Sequence, residues 1–169
     1  MWTDDEMKRA KEEDRMVQSV LDEANNRPPR PMSTPESITA GNAAIAEGRA
    51  RAAETMALQI ENKELLSAYE LQHALGIAQA EIDEAVGAGR LFAMVATDGE
   101  RYYPAFYAAP AVDRTALEAV ALELRDLPPE SRYYFFTSRR TNLGSTPLEA
   151  LQAGRVSEVM QSAAGFAST

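Results

Sequence analysis

Four prolines fall within the thirteen residues from Asn25 to Ser37, NNRPPRPMSTPES, and no apolar periodicity runs through them. Proline fixes φ and carries no backbone N–H, so this stretch is expected to be an extended, polyproline-like linker at 25–37. The chain is therefore expected to fold in separate pieces on either side of it. The first piece, residues 1–24, reads as a helix: Thr3 and Glu6 have capping-box spacing, Asp4 and Asp5 suit the positive end of the dipole, and Trp2 can staple onto Met7. Met7, Met16, Val17, Val20 and Leu21 make one narrow apolar stripe among mixed charges. Two readings stay open for it, a solvated arm or a helix that meets a partner or its own copy.

A second helix is expected to start at Thr34-Pro35-Glu36, where proline suits the first turn, and to fill residues 38–64. Ile38, Ile45, Ala52, Met56 and Ile60 are spaced by sevens and fours, as on a helical seam, while Gly41 and Gly48 weaken its first half. Alanine dominates the rest of the face and permits close helix approach. Packing within the chain and homodimerisation through 38–64 both remain open.

Residues 65–110 change to short elements. Ser67 can cap a helix Ala68–Leu75 ended by Gly76, and a second helix runs from Gln79 to Val86. Gly87-Ala88-Gly89 stops it, Leu91 to Val95 reads as a strand, Asp98-Gly99 as a hairpin turn, and Tyr102-Tyr103 as the return strand. A helical pair followed by a hairpin resembles the small winged helix-turn-helix modules of excisionases and MerR-type regulators. His73 lies on the first of these helices with no catalytic companion in sequence.

In residues 111–169, Asp113 can cap an amphipathic helix carrying Leu117, Val120, Ala121 and Leu124, which Pro128-Pro129 terminates. Glu130 to Ser138 can form another helix, burying Tyr133 and Phe136 and with Tyr134 a further candidate for burial, with Arg139 and Arg140 at its negative end. Thr146, Pro147 and Glu149 combine a cap, a first-turn proline and a capping-box acid for a short helix ending near Gly154. A last helix begins at Val156. The fold class expected is mainly α: a helical N-terminal extension, a winged helix-turn-helix-like centre with a small β-hairpin, and a helical C-terminal domain.

Composition limits the chemistry. With no Cys and one His among 169 residues there is no disulfide framework, no thiolate site and no His-based triad. Gly87-Ala88-Gly89 follows a helix and lacks the third glycine of a dinucleotide fingerprint, and no G-x-x-x-x-G-K motif occurs. The expectation is no enzyme, no metal and no cofactor. No apolar run approaches the length of a membrane span, and the acidic start of the chain does not resemble a targeting signal, so a cytoplasmic protein is expected.

The net charge of −9 divides as about −4 over 1–61, −4 over 62–110 and −1 over 111–169, so no segment is basic. DNA affinity rests on Lys and Arg releasing counterions from phosphates. The second helix of the pair instead carries Glu81, Asp83 and Glu84. Gln79, Arg90 and Arg101 are the only residues there suited to base or phosphate contact.

The stretch NLGSTPLEALQAGRVSEVMQSAAGF, Asn142 to Phe166, is similar to the C-terminal toxin-binding domain of Xre/MbcA/ParS-type antitoxins. That family shows an N-x-x-L-G loop, a T-P-L-x-x-L helix, a G-R turn and a closing V-x-x-V helix. Leu143, Gly144, Thr146, Pro147, Leu148, Leu151, Gly154, Val156 and Val159 stand in those places, and Asn142 serves as the loop's Asn although it directly precedes Leu143. The family's usual central tryptophan is missing, its place open to Tyr133 or Phe135. The resemblance implies a protein-binding module that neutralises or sequesters a partner, a toxin, by occlusion, often joined to an operator-binding helix-turn-helix. Tyr134, Phe135, Arg139, Arg140, Asn142 and Leu143 are the candidate partner contacts. A DNA-binding regulator is the alternative.

Overall fold

The computed structural model describes Thr3–Asn25 and Thr34–Thr169. Among these residues the fold is mainly helical with one three-stranded antiparallel sheet. No described helix is long and apolar enough to cross a membrane. The chain divides into two compact units, Met1–Ala46 and Glu47–Thr169.

The first unit holds helix α1 (Asp4–Asn25) and the start of α2 (Pro35–Glu61). The Glu6 carboxylate accepts from the Thr3 N–H at 2.9 Å and from its hydroxyl at 3.0 Å, fixing the start of α1 and holding the Glu6 carboxyl below its ordinary pKa. Residues 3–23 and 34–46 are all exposed. The expected Trp2 staple and most of the expected linker lie outside the described residues. Asn25 and Pro35–Ser37, counted with the linker on sequence, are helical: Thr34 accepts the Ser37 N–H at 3.2 Å, and Pro35 needs no N–H partner at the first turn.

In the second unit α2 stops at Glu61, short of the expected Glu64, because Lys63 adopts φ +60° and turns the chain into a strand, β1 (Leu65–Ser67), that local pattern did not announce. Ser67 then caps α3 (Ala68–Leu75): its hydroxyl accepts from the Glu70 N–H, and the Glu70 carboxylate accepts from the Ser67 N–H. Gly76, at φ +65°, ends α3 with the left-handed turn that glycine enters without strain, and α4 (Gln79–Gly87) follows. Strand β2 covers only Met94–Val95. Leu91 and Phe92, expected in it, are instead drawn into the core, with the Leu91 N–H bonded to the Ala85 carbonyl at the end of α4. Strand β3 (Arg101–Pro104) lies between the other two, with Leu65 opposite Pro104 and Met94 opposite Tyr102.

A 3₁₀ turn, Ala105–Ala108, leads to α5 (Arg114–Glu123), α6 (Pro129–Thr137), α7 (Pro147–Gln152) and α8 (Val156–Ala167). Residues from both 65–110 and 111–169 build one core: Leu71, Ile82 and Leu91 join Leu117, Val120 and Leu124 of α5, Phe135 and Phe136 of α6, and Val159 and Ala163 of α8. Phe92 and Phe136 stack across this junction with ring centroids 6.3 Å apart. Burial of a phenylalanine of this kind contributes about 1.5–3 kcal/mol.

Two polar groups are buried here with their partners. Tyr107 donates its hydroxyl to the Arg90 carbonyl at 3.2 Å, and burial pushes its pKa up. Arg132 packs against Phe92 and donates to the carbonyls of Leu127 and Arg125, closing the α5–α6 turn. On α6 the buried residues are Arg132, Phe135 and Phe136, while Tyr133 is half-buried and Tyr134 exposed. Phe136 is buried as expected, whereas Tyr133 is only half-buried and Tyr134 exposed, and Arg132 is turned inward by its bonds to the Leu127 and Arg125 carbonyls.

Candidate functional site

The loop between α6 and α7 is built by its own hydrogen bonds. Arg140 and Ser145 form an isolated antiparallel bridge, the Arg140 N–H bonding to the Ser145 carbonyl at 3.0 Å. The Arg140 carbonyl accepts from Leu143 and Gly144, and Gly144 makes the reversal at φ +68°. Thr146 then caps α7, with Glu149 bonded back to the Thr146 N–H at 2.8 Å. That backbone bond, then the Thr146 hydroxyl and the nearby Arg139 charge, hold the Glu149 carboxyl below its ordinary pKa. Arg155, at the N-terminal cap of α8, donates to the Leu143 carbonyl at 3.1 Å, and Ser162 of α8 donates to Asn142 Oδ1 at 3.3 Å. Both sides of the loop are therefore tied to helices.

Arg140 is held by aromatic rings. Its guanidinium lies 4.3 Å from the centroid of Phe166 and 5.1 Å from that of Phe135, and the two rings pack together at 5.3 Å. Its side chain makes no hydrogen bond or ion pair with the described residues, and neither does that of Arg139. Five N–H donors on a guanidinium pre-oriented by stacking suit a planar oxyanion such as a carboxylate. Arg139, Arg140, Asn142, Gln161, Ser162 and Phe166 line a cleft of 410 Å³ there, and among the described residues no carboxylate side chain lines it.

The structure divides the expected partner contacts. Arg139, Arg140 and Asn142 share this cleft. Phe135, fully buried, and Leu143, also buried, are corrected from surface contacts to core residues: Phe135 supports Arg140 from beneath and Leu143 roots the loop. Tyr134 is exposed but faces elsewhere, into an apolar groove of 740 Å³ shared with α2 and the hairpin. Gln161, Ser162 and Phe166 of α8 were not identified from sequence. The i, i+4 spacing of Ser162 and Phe166 put them on one face, but nothing local tied that face to the loop.

The expected DNA contacts are scattered. Gln79 is half-buried, accepting from Gln72 at 2.6 Å and donating to Asp83 at 2.9 Å. Arg90 is paired with Glu118 at 3.3 Å and Glu84 at 3.8 Å. Arg101 is exposed and lines a 490 Å³ cleft with Gln79, but Asp83 and Glu100 line it too. His73 packs edge-on against Tyr69 at 4.5 Å.

Set against known proteins, the chain matches no family model, no curated protein and no solved structure.

Proposed function

We propose that this chain is an antitoxin-type protein-binding module that neutralises or sequesters a partner protein through the α6–α7 loop and α8. The observation that carries the reading is Arg140, oriented by two rings and engaged by no carboxylate among the described residues of a chain with 26 acidic side chains. An acidic side chain of the partner, inserted beside Arg139, Arg140 and Asn142, satisfies that guanidinium bidentately, and the surrounding helices exclude water from the pair. The partner's active surface is thereby occluded, with no chemistry at the cleft. The similarity of Asn142 to Phe166 to antitoxin toxin-binding domains points the same way.

The test is affinity for a captured partner, measured with the full chain and with Arg140→Ala. A loss of about 2 kcal/mol, roughly 30-fold, is expected from truncating a central arginine anchor. Equal binding by the variant would remove Arg140 from the interface and with it this reading.

A DNA-binding regulator is the second reading, supported by the order β1, α3, α4, β2, β3, which suits a winged helix-turn-helix. The charges oppose it, since Arg90 is already paired and α4 carries exposed Glu81, Asp83 and Glu84. Sequence-selective binding of genomic fragments by the full chain, with a steep salt dependence, would favour this reading over the first.

A further inference from the structure

Gly165 also lines the cleft between the α6–α7 loop and α8, and the chain's own structure does not account for a glycine there. It lies inside α8, before Phe166 and Ala167, without the positive φ at which Gly144 and Gly154 make their turns. Close packing does not require it either. A Cβ on Gly89 would stand 3.0 Å from the Arg125 Cβ, whereas nothing lies within 4 Å of where a Cβ on Gly165 would stand. A glycine in a helix weakens it relative to alanine. The Gly165 carbonyl already accepts from the Thr169 hydroxyl at 3.0 Å, so what the residue offers the cleft is the bare surface of its Cα.

Charge selects the occupant. Arg139 and Arg140 line the same cleft and pair with no carboxylate of the described residues, and Phe166, next to Gly165, sets its ring 4.3 Å from the Arg140 guanidinium. At 410 Å³ the cleft is larger than a carboxylate alone fills, one water taking about 30 Å³ of liquid. The side chains of Asp and Glu are short, so the main chain that delivers a carboxylate to Arg140 comes down onto the cleft wall. We infer that Gly165 is the contact for that main chain, an inference that rests on the cleft being the seat of a partner. An acidic peptide segment lies with its backbone against the Gly165 Cα and its carboxylate on Arg140. A side chain at position 165 would hold that backbone off and draw the carboxylate away from the guanidinium. Gly165 thus sets which acidic segments the cleft admits.

A library of random linear peptides displayed on phage, selected on the full wild-type chain, tests this. The enriched sequences are expected to share an Asp or Glu, and a synthetic peptide of that consensus to lose about 30-fold in affinity on Arg140→Ala. Gly165→Ala is expected to weaken the same peptide about tenfold while raising the thermal midpoint by about 2 °C, since the added methyl obstructs the peptide but favours the helix. Gly48→Ala, at another exposed helical glycine with nothing near its Cβ, is expected to raise the midpoint with affinity unchanged. An acidic peptide lost on Arg140→Ala but bound equally by Gly165→Ala would overturn this inference and leave the reading of the cleft standing. A midpoint that falls together with affinity in Gly165→Ala would overturn it too, placing the effect in the fold of α8. Enrichment without an acidic consensus, or no enrichment, would overturn both.

Discussion

Two arginines in this acidic chain meet opposite fates. Arg90, at the exit of α4, is flanked by Glu84 and Glu118 and closes an ion pair that also involves Arg114, 2.7 Å from Glu118. Arg140, in the α6–α7 loop, rests on Phe135 and Phe166 with no carboxylate of the described residues engaged. Net charge is blind to this difference. What makes a guanidinium available to another molecule is whether its own chain has already answered it, and rings orient the group while leaving its donors open. The arginine at the exit of α4 is answered by carboxylates of its own chain, whereas Arg139 and Arg140 line a built cleft with no ion pair among the described residues.

The harshest way to break the comparison is to remove the ring beneath Arg140. Phe135→Ala is expected to cost about 3–5 kcal/mol of stability, seen as a lowered midpoint in urea, because Phe135 belongs to the core as well as to the arginine's support. Arg140→Ala separates the two roles: binding falls about 30-fold, while stability falls by about 1–2 kcal/mol, the worth of a half-buried cation–π contact. Arg140→Lys, measured beside it, keeps the charge and loses the planar fork, so partner affinity is expected between wild type and Ala.

Thr146→Ala removes the cap of α7 and is expected to lower stability by about 1 kcal/mol, measurable by denaturant titration, with a smaller loss of partner affinity as the loop loosens. At the other end of the comparison, Gln79→Ala with Arg101→Ala is expected to leave partner affinity unchanged in the same assay; a loss like that of Arg140→Ala would erase the distinction between the two regions. The smallest effect is one of pH. Burial, then the charge of Glu64, pushes the Tyr133 phenol up to about 12. The folded state therefore holds that proton more tightly than the unfolded chain, so the contribution is complete below the phenol's ordinary range near 10 and is lost as pH rises toward 12. Unfolding midpoints across that window are expected to fall less for Tyr133→Phe than for wild type.

Much of the fold was legible because its signals are local. Ser67 with Glu70, Gly76, Asp113, and Thr146 with Pro147 and Glu149 each mark a helix end within one turn, and the helices begin or stop there. Strand β1 was not legible, since Leu65 finds its partner only at Pro104, and three residues carry no alternation to read. Nor was the inward face of α6, because a buried Arg132 breaks the rule that charge marks the outside. The cleft was half legible. Arg139, Arg140 and Asn142 stand together in sequence, whereas Phe135 and Phe166 meet Arg140 only through packing, and it is they that turn an ordinary helix-end arginine into an oriented one.

The most direct measurement of the central claim is parallel capture from the native host with the full wild-type chain and with the Arg139→Ala, Arg140→Ala chain, each with and without nuclease. The account predicts a stoichiometric protein partner that survives nuclease on the wild type and is lost on the double variant. Specific DNA retained by both chains, without a stoichiometric protein, would contradict it.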